Sequence, residues 1–326
     1  MFRIKDWIAV AGILITAVCL WGLWFNRYDV VDWYVLRGYN PDSQISSLAT
    51  NSGMSAKGAK VFYAQHPRIT DKEEFNAICT TGEQTIVLGC YTGYDLIRDS
   101  DIFIYNVSEP ELQGIQEVTA AHEMLHAAYD RLSSSERKAV DSLTAAMLQN
   151  INSPRITKLI EGYQERDPSS VPNELHSILA TEVAVLDPAL EAYYAQYFSN
   201  RQKVVSLSEK YESVFESNTN ETQRIAGELS LRKSELAKLE ASIDADYIAL
   251  DASRASLDRL RSANNINAYN SAVPAFNQQV ANYNQAVANY KRLIAEYNSL
   301  VEAYNQKVGR QQELVQSIDS KYQPVN

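Results

Sequence analysis

Metal ligands and cross-linking residues are scarce in this chain: four histidines and three cysteines among 326 residues. Cys79 and Cys90 have no histidine near them in sequence, which leaves no cysteine-based metal site to build. Positive charge is in short supply as well. Thirty Lys and Arg face 40 Asp and Glu, and the net charge of −10 argues against nucleic-acid binding. The same balance does little to attract anionic lipid, so any membrane attachment has to be hydrophobic. Beyond about residue 200 the depletion deepens: cysteine and histidine vanish, and only Pro274 and Pro324 remain of the nine prolines.

Against that scarcity, two histidines fall within one stretch, EVTAAHEMLH (117–126). No Pro or Gly interrupts it, Val118, Met124, Leu125 and Ala128 recur at helical spacing, and the alanines are strong helix formers. Positions i and i+4 share a helix face, so His122 and His126 can address one ion. Zinc accepts neutral imidazole, and this spacing suits two ligands of a tetrahedron. Glu123 is rotated away from that axis. It can act on a water polarised by the metal without ligating the metal, which is where a general base belongs.

The motif and its uncharged flanks (Thr119, Ala120, Met124, Leu125, Ala127 and the apolar Ala128) resemble the extended HExxH signature of the zincin metallopeptidases. The resemblance implies zinc, a third protein ligand and Glu123 as catalytic base. NELHSILATEVAVL (173–186) reads as the helix for that ligand, with Asn173 as N-cap. Its TEVA piece resembles the ligand helix of gluzincins, which implies Glu182 beside His122 and His126. Glu174, on nearly the same face, and His176 remain open as alternatives. A second electrophile is usual in such sites, and His176, Tyr193 and Tyr194 are candidates.

At the start, residues 7–25 form an uncharged, mostly apolar run long enough to span a bilayer core, with Trp7, Trp21 and Trp24 near its ends. Arg3 and Lys5 precede it, so the positive-inside rule predicts a cytoplasmic stub (1–6), a transmembrane anchor (7–25) and everything after it extracytoplasmic. In such an oxidising setting Cys79 and Cys90 would pair and close a short loop; in the cytosol they would be free thiols.

Residues 26–45 read as a juxtamembrane linker and 46–200 as the zincin-like peptidase domain. Strands are expected near Val61–Tyr63, in QTIVLGCY (84–91) and in DIFIYNV (101–107). The last of these is expected to pair with an extended substrate along Ile102 to Tyr105. Residues 201–326 carry heptads. Tyr269, Phe276, Tyr283, Tyr290, Tyr297 and Tyr304 are seven apart, Val273, Val280, Val287, Ile294, Val301 and Val308 follow them, and Leu229, Leu236, Ile243, Leu250 and Leu257 form an earlier series. Folded back on itself, this segment is expected to pair Leu250 with Tyr283 and to turn between Ile266 and Asn267.

The sequence therefore points to an α+β zincin-like domain behind an N-terminal transmembrane helix, followed by a long all-α antiparallel coiled-coil hairpin. The function expected is a membrane-anchored zinc endopeptidase with a protein or peptide substrate. The alternative is a structural or adaptor protein that meets a protein partner through its coiled coil, the zincin-like domain being inactive or stabilised by its metal.

Overall fold

The computed structural model describes residues 27–79, 86–93 and 101–322, together with Leu14, Thr16, Val18 and Gly22. It divides into two compact units, Met1–Val214 with Val315–Asn326, and Phe215–Leu314.

The first unit begins with α1 (Arg27–Val35), α2 (Ser43–Asn51) and α3 (Ala56–Tyr63). Asp42 and Ser55 start the latter two by accepting the backbone N–H groups of Ile45 and Gly58, which would otherwise lack partners in the first helical turn. Val61 and Phe62 are thus helical rather than extended. With Gly58 they form the buried face of α3, and packing overrides their β propensity.

A small sheet follows: β1 (Arg68–Thr70), then α4 (Lys72–Ile78), β2 (Gly89–Tyr91) and β3 (Ile102–Tyr105). The strand order is β1-β3-β2, with β3 parallel to β1 and antiparallel to β2. A disulfide joins Cys79, just after α4, to Cys90 of β2. Phe75, Cys79 and Phe103 form a buried cluster at this junction.

The core belongs to α5 (Ile115–Asp130), which carries the histidine pair. Gly114 starts it at φ +105°, a left-handed conformation that L residues avoid, and a Cβ there would crowd Leu207. Ala120, Ala121, Met124, Leu125 and Ala127 are wholly buried, and the alanines among them let other helices approach closely. After it come α6 (Ser134–Leu148), α7 (Pro154–Arg166), α8 (Val171–Glu182) and α9 (Pro188–Tyr194), while α2, α3, α8, β2 and β3 pack against α5 itself. Among these α8 packs most extensively on α5.

This architecture corrects the expected α+β zincin-like domain behind a transmembrane helix. Of the described residues 76% are helical, and the sheet they form has three short strands. The transmembrane anchor and the single-pass membrane localisation are corrected with it: among the described residues no helix is long and apolar enough to cross a membrane. The apolar run 7–25 lies outside the described residues apart from the four single positions above.

The second unit is formed by the distal parts of α10 (Gln202–Ser262) and α11 (Ile266–Ile318). They run antiparallel: Asn218 donates to the Lys307 carbonyl at 3.0 Å and to Gln311 at 2.9 Å, and the rings of Tyr247 and Tyr283 lie 6.4 Å apart. Tyr283 therefore meets Tyr247, three residues before the Leu250 expected opposite it. The turn explains the shift. It falls on residues 263–265, ahead of the expected pivot, because Asn264 takes a left-handed conformation (φ +53°) and the Asn265 side chain accepts the N–H of Ala268 at the start of α11.

Candidate metal centre

Helix α5 turns His122 and His126 to one side, their rings 4.7 Å apart and nearly perpendicular. Ligand atoms of His122, Glu123 and His126 all lie within 4.8 Å of one another. The two histidines are partly accessible, with side-chain exposures of 19% and 12%, whereas Glu123 is buried. Strand β2 crosses directly over this base. A Cβ added to Gly89 would stand 2.8 Å from Glu123 Oε1 and 2.5 Å from Thr119 Cγ2, so only glycine lets the strand come this close.

Helix α8 supplies the rest. Glu174 places Oε2 3.5 Å from His122 Nε2 and Oε1 3.7 Å from His126 Nε2. Oε2 is buried and has no hydrogen-bond partner among the described residues, an arrangement that costs free energy unless a cation completes it. Burial pushes the Glu174 carboxyl up, but contact with His122 and the charges of His126 and His122 outweigh it, holding the group below the usual carboxylate range. The neighbouring Asn173 accepts from His126 Nδ1 at 3.0 Å, with Ser177 Oγ 3.4 Å away. In the neutral form of His126, a proton on Nδ1 leaves the Nε2 lone pair on the Glu174 side, as a metal-binding imidazole requires.

The remaining residues singled out in the sequence sit elsewhere. Glu182 ends α8 and accepts from Arg155 of α7 at 2.5 Å. Glu174 and Glu182 share a face, but eight residues of helix separate them by about 12 Å along the axis, so one ion cannot take both. His176 is fully buried, bonds through Nε2 to the Tyr193 hydroxyl at 3.0 Å, and is surrounded by the rings of Tyr129, Tyr193 and Tyr194. Burial, followed by the charges of His126 and His122, pushes its pKa down to about 3, so it is neutral. Tyr194 donates to the His176 carbonyl at 2.7 Å. These three form a packed support under α8.

The strand expected to receive substrate is also displaced. Ile102–Tyr105 is the central strand, paired on both sides, and β2 is an edge strand among the described residues. Two contributions are not legible in the sequence. Asn173 reads there as the cap of α8, but Ser170 holds that position and frees Asn173 for His126. Arg201, buried, donates to the carbonyls of Ala180, Val183 and Ala184 and so caps the C-terminal end of the same helix.

Two imidazoles and a half-buried carboxylate with one buried oxygen lacking a hydrogen-bond partner among the described residues form a donor set suited to zinc. Comparison with protein-family models, with characterised proteins and with solved structures finds no match.

Proposed function

We propose that the first unit is a zinc-dependent hydrolase of peptide bonds, with His122, His126 and Glu174 as protein ligands and Glu123 as general base. One observation carries the reading: the Nε2 atoms of His122 and His126 face a single half-buried carboxylate whose buried Oε2 lacks a hydrogen-bond partner among the described residues. The reaction class comes from the resemblance of the HExxH motif to metallopeptidases. Zinc, when bound, supplies Lewis acidity that polarises a carbonyl and lowers the pKa of water. The protein does the rest. Asn173 fixes the His126 tautomer, Gly89 admits a strand next to the base, and Glu123 takes the proton of the attacking water and returns it to the departing amine.

Metal analysis of the purified protein is expected to find about one zinc per chain. Glu123→Gln keeps the metal and loses hydrolysis of a peptide library by roughly 100- to 10,000-fold. His126→Ala and Glu174→Ala lose the metal, and Glu182→Ala retains it. A Glu174→Ala protein with full zinc content overturns the ligand set. A Glu123→Gln protein that cleaves like the parent overturns the reaction.

A further inference from the structure

Away from the histidine pair, the first unit contains a second concave site. A cavity of about 420 Å³ opens among α1, α3, α5 and α6, with Tyr193, Gln196 and Tyr197 completing its wall. Small-molecule sites span roughly 300–1,000 Å³, so the space is of ligand size.

Its charges are unequally matched. Lys60 Nζ lies 2.7 Å from Asp29 and 3.6 Å from Asp32, and Arg131 lies 2.9 Å from Asp32. Glu136 is held by Ser133 in the capping box of α6. Lys57 differs. Its ammonium donates to the Gln196 side-chain carbonyl at 2.5 Å and sits 5.0 Å from the centre of the Tyr197 ring, and it forms no ion pair among the described residues. Burial lowers its pKa, opposed by the more distant charges of Glu136 and Asp29. Lys57 is exposed at the cavity mouth, and an ammonium held by an amide and a ring has room for an anionic partner.

The same cavity has an apolar side made by Val61, Ala128, Leu132, Val140 and Leu143. Asp32, which also lines it, keeps Oδ1 buried without a hydrogen-bond partner among the described residues. We propose that this cavity binds a small apolar molecule bearing a carboxylate, the carboxylate on Lys57 and the apolar body against the wall of α5 and α6. Two sources offer that chemistry, the C-terminus of a short apolar peptide and a medium-chain fatty acid. Only the peptide adds an N–H donor for Asp32.

Calorimetric titration with N-acetyl-leucyl-leucine and with octanoate, each beside its uncharged partner (the dipeptide amide, octanol), tests this. One acid is expected to bind saturably, its neutral partner roughly 10- to 100-fold more weakly, since a hydrogen bond to a charged group has been removed. The stronger acid identifies the source. Lys57→Met is expected to reproduce that loss, Lys57→Arg to retain binding, and Ala139→Trp to abolish it by filling the cavity. Lys57→Gln replaces Lys57→Met if the latter fails to give a parent-like thermal melt. Binding should persist with a chelator present, which separates this cavity from the metal centre and leaves the proposed hydrolysis untouched by the outcome. The proposal is overturned if neither acid binds at millimolar concentration, if acid and neutral partner bind alike, if removing the Lys57 ammonium changes nothing, or if the chelator abolishes binding.

Discussion

The two units use helices in opposite ways. In the first, α5 and α8 pack extensively on each other, and Ala120, Ala121, Leu125, Leu179 and Ala180 have no exposed surface. In the second, the heptad residues Leu236, Ile243, Leu250, Tyr283, Tyr290 and Tyr297 stay only half-buried. Among the described residues of Phe215–Leu314, the buried apolar side chains are Ile225, Leu257, Leu293 and Leu314, widely spaced along the two helices. Two helices alone offer each side chain a single neighbouring surface, whereas α5 has helices and a sheet on several sides. A regular period is therefore no measure of burial. The irregular unit holds the tight core, and the regular one holds a thin seam.

The largest expected effect tests that contrast directly. Leu125→Ala opens a cavity in a filled core and should cost about 2–5 kcal/mol in urea unfolding. Leu250→Ala removes a side chain already half in water, so about 1 kcal/mol is expected. Equal losses would break the comparison. Next in size is Asn173→Ala, which leaves every proposed ligand in place and removes the group that fixes His126. Zinc affinity, measured by competition with a chromophoric chelator, should fall roughly 10- to 100-fold. An unchanged affinity would mean that the His126–Asn173 contact orients nothing.

The same contrast explains what can be read in the sequence. Both legible patterns are local. His122 and His126 lie one helical turn apart, and the Tyr and Val heptads repeat without interruption, so each predicts a shared face from a single helix. What stays illegible depends on a second element. Glu174 and Glu182 occupy one face of α8, and only the place where α8 crosses α5 decides between them. The register of the long pair depends on a turn of three residues, and Asn264 accepts the left-handed conformation just ahead of the expected pivot. Val61 and Phe62 have strand-like side chains, but Ser55 caps a helix before them and their neighbours bury its face. The small sheet is legible only in part: β1, at Arg68–Thr70, is three residues long, too short a run to stand out in the sequence, and is defined by its pairing with β3.

The smallest expected effect concerns the start of α6, where order depends on neither a deep core nor a long repeat. Ser133 and Glu136 form a capping box: the Glu136 carboxylate accepts the Ser133 backbone N–H at 2.8 Å and its hydroxyl at 2.6 Å, and Ser133 Oγ accepts the Glu136 N–H at 3.3 Å. The Ser133 side chain first, then its backbone, holds the Glu136 carboxyl below its ordinary value. A folded pKa below the unfolded one means that the unfolded chain binds the proton more readily. The stabilisation is thus complete above the unfolded pKa of about 4.3 and is lost as pH falls through the folded value. Glu136→Gln keeps the shape of the box and removes only the charge. It should cost about 0.3–1 kcal/mol at pH 7, the usual range for a carboxylate at a helix N-terminus, and nearly nothing at about pH 2–3. Urea midpoints of the two proteins at both pH values decide it. A gap that persists in acid would mean that Glu136 acts through packing at the rim of the Lys57 cavity and not through its charge.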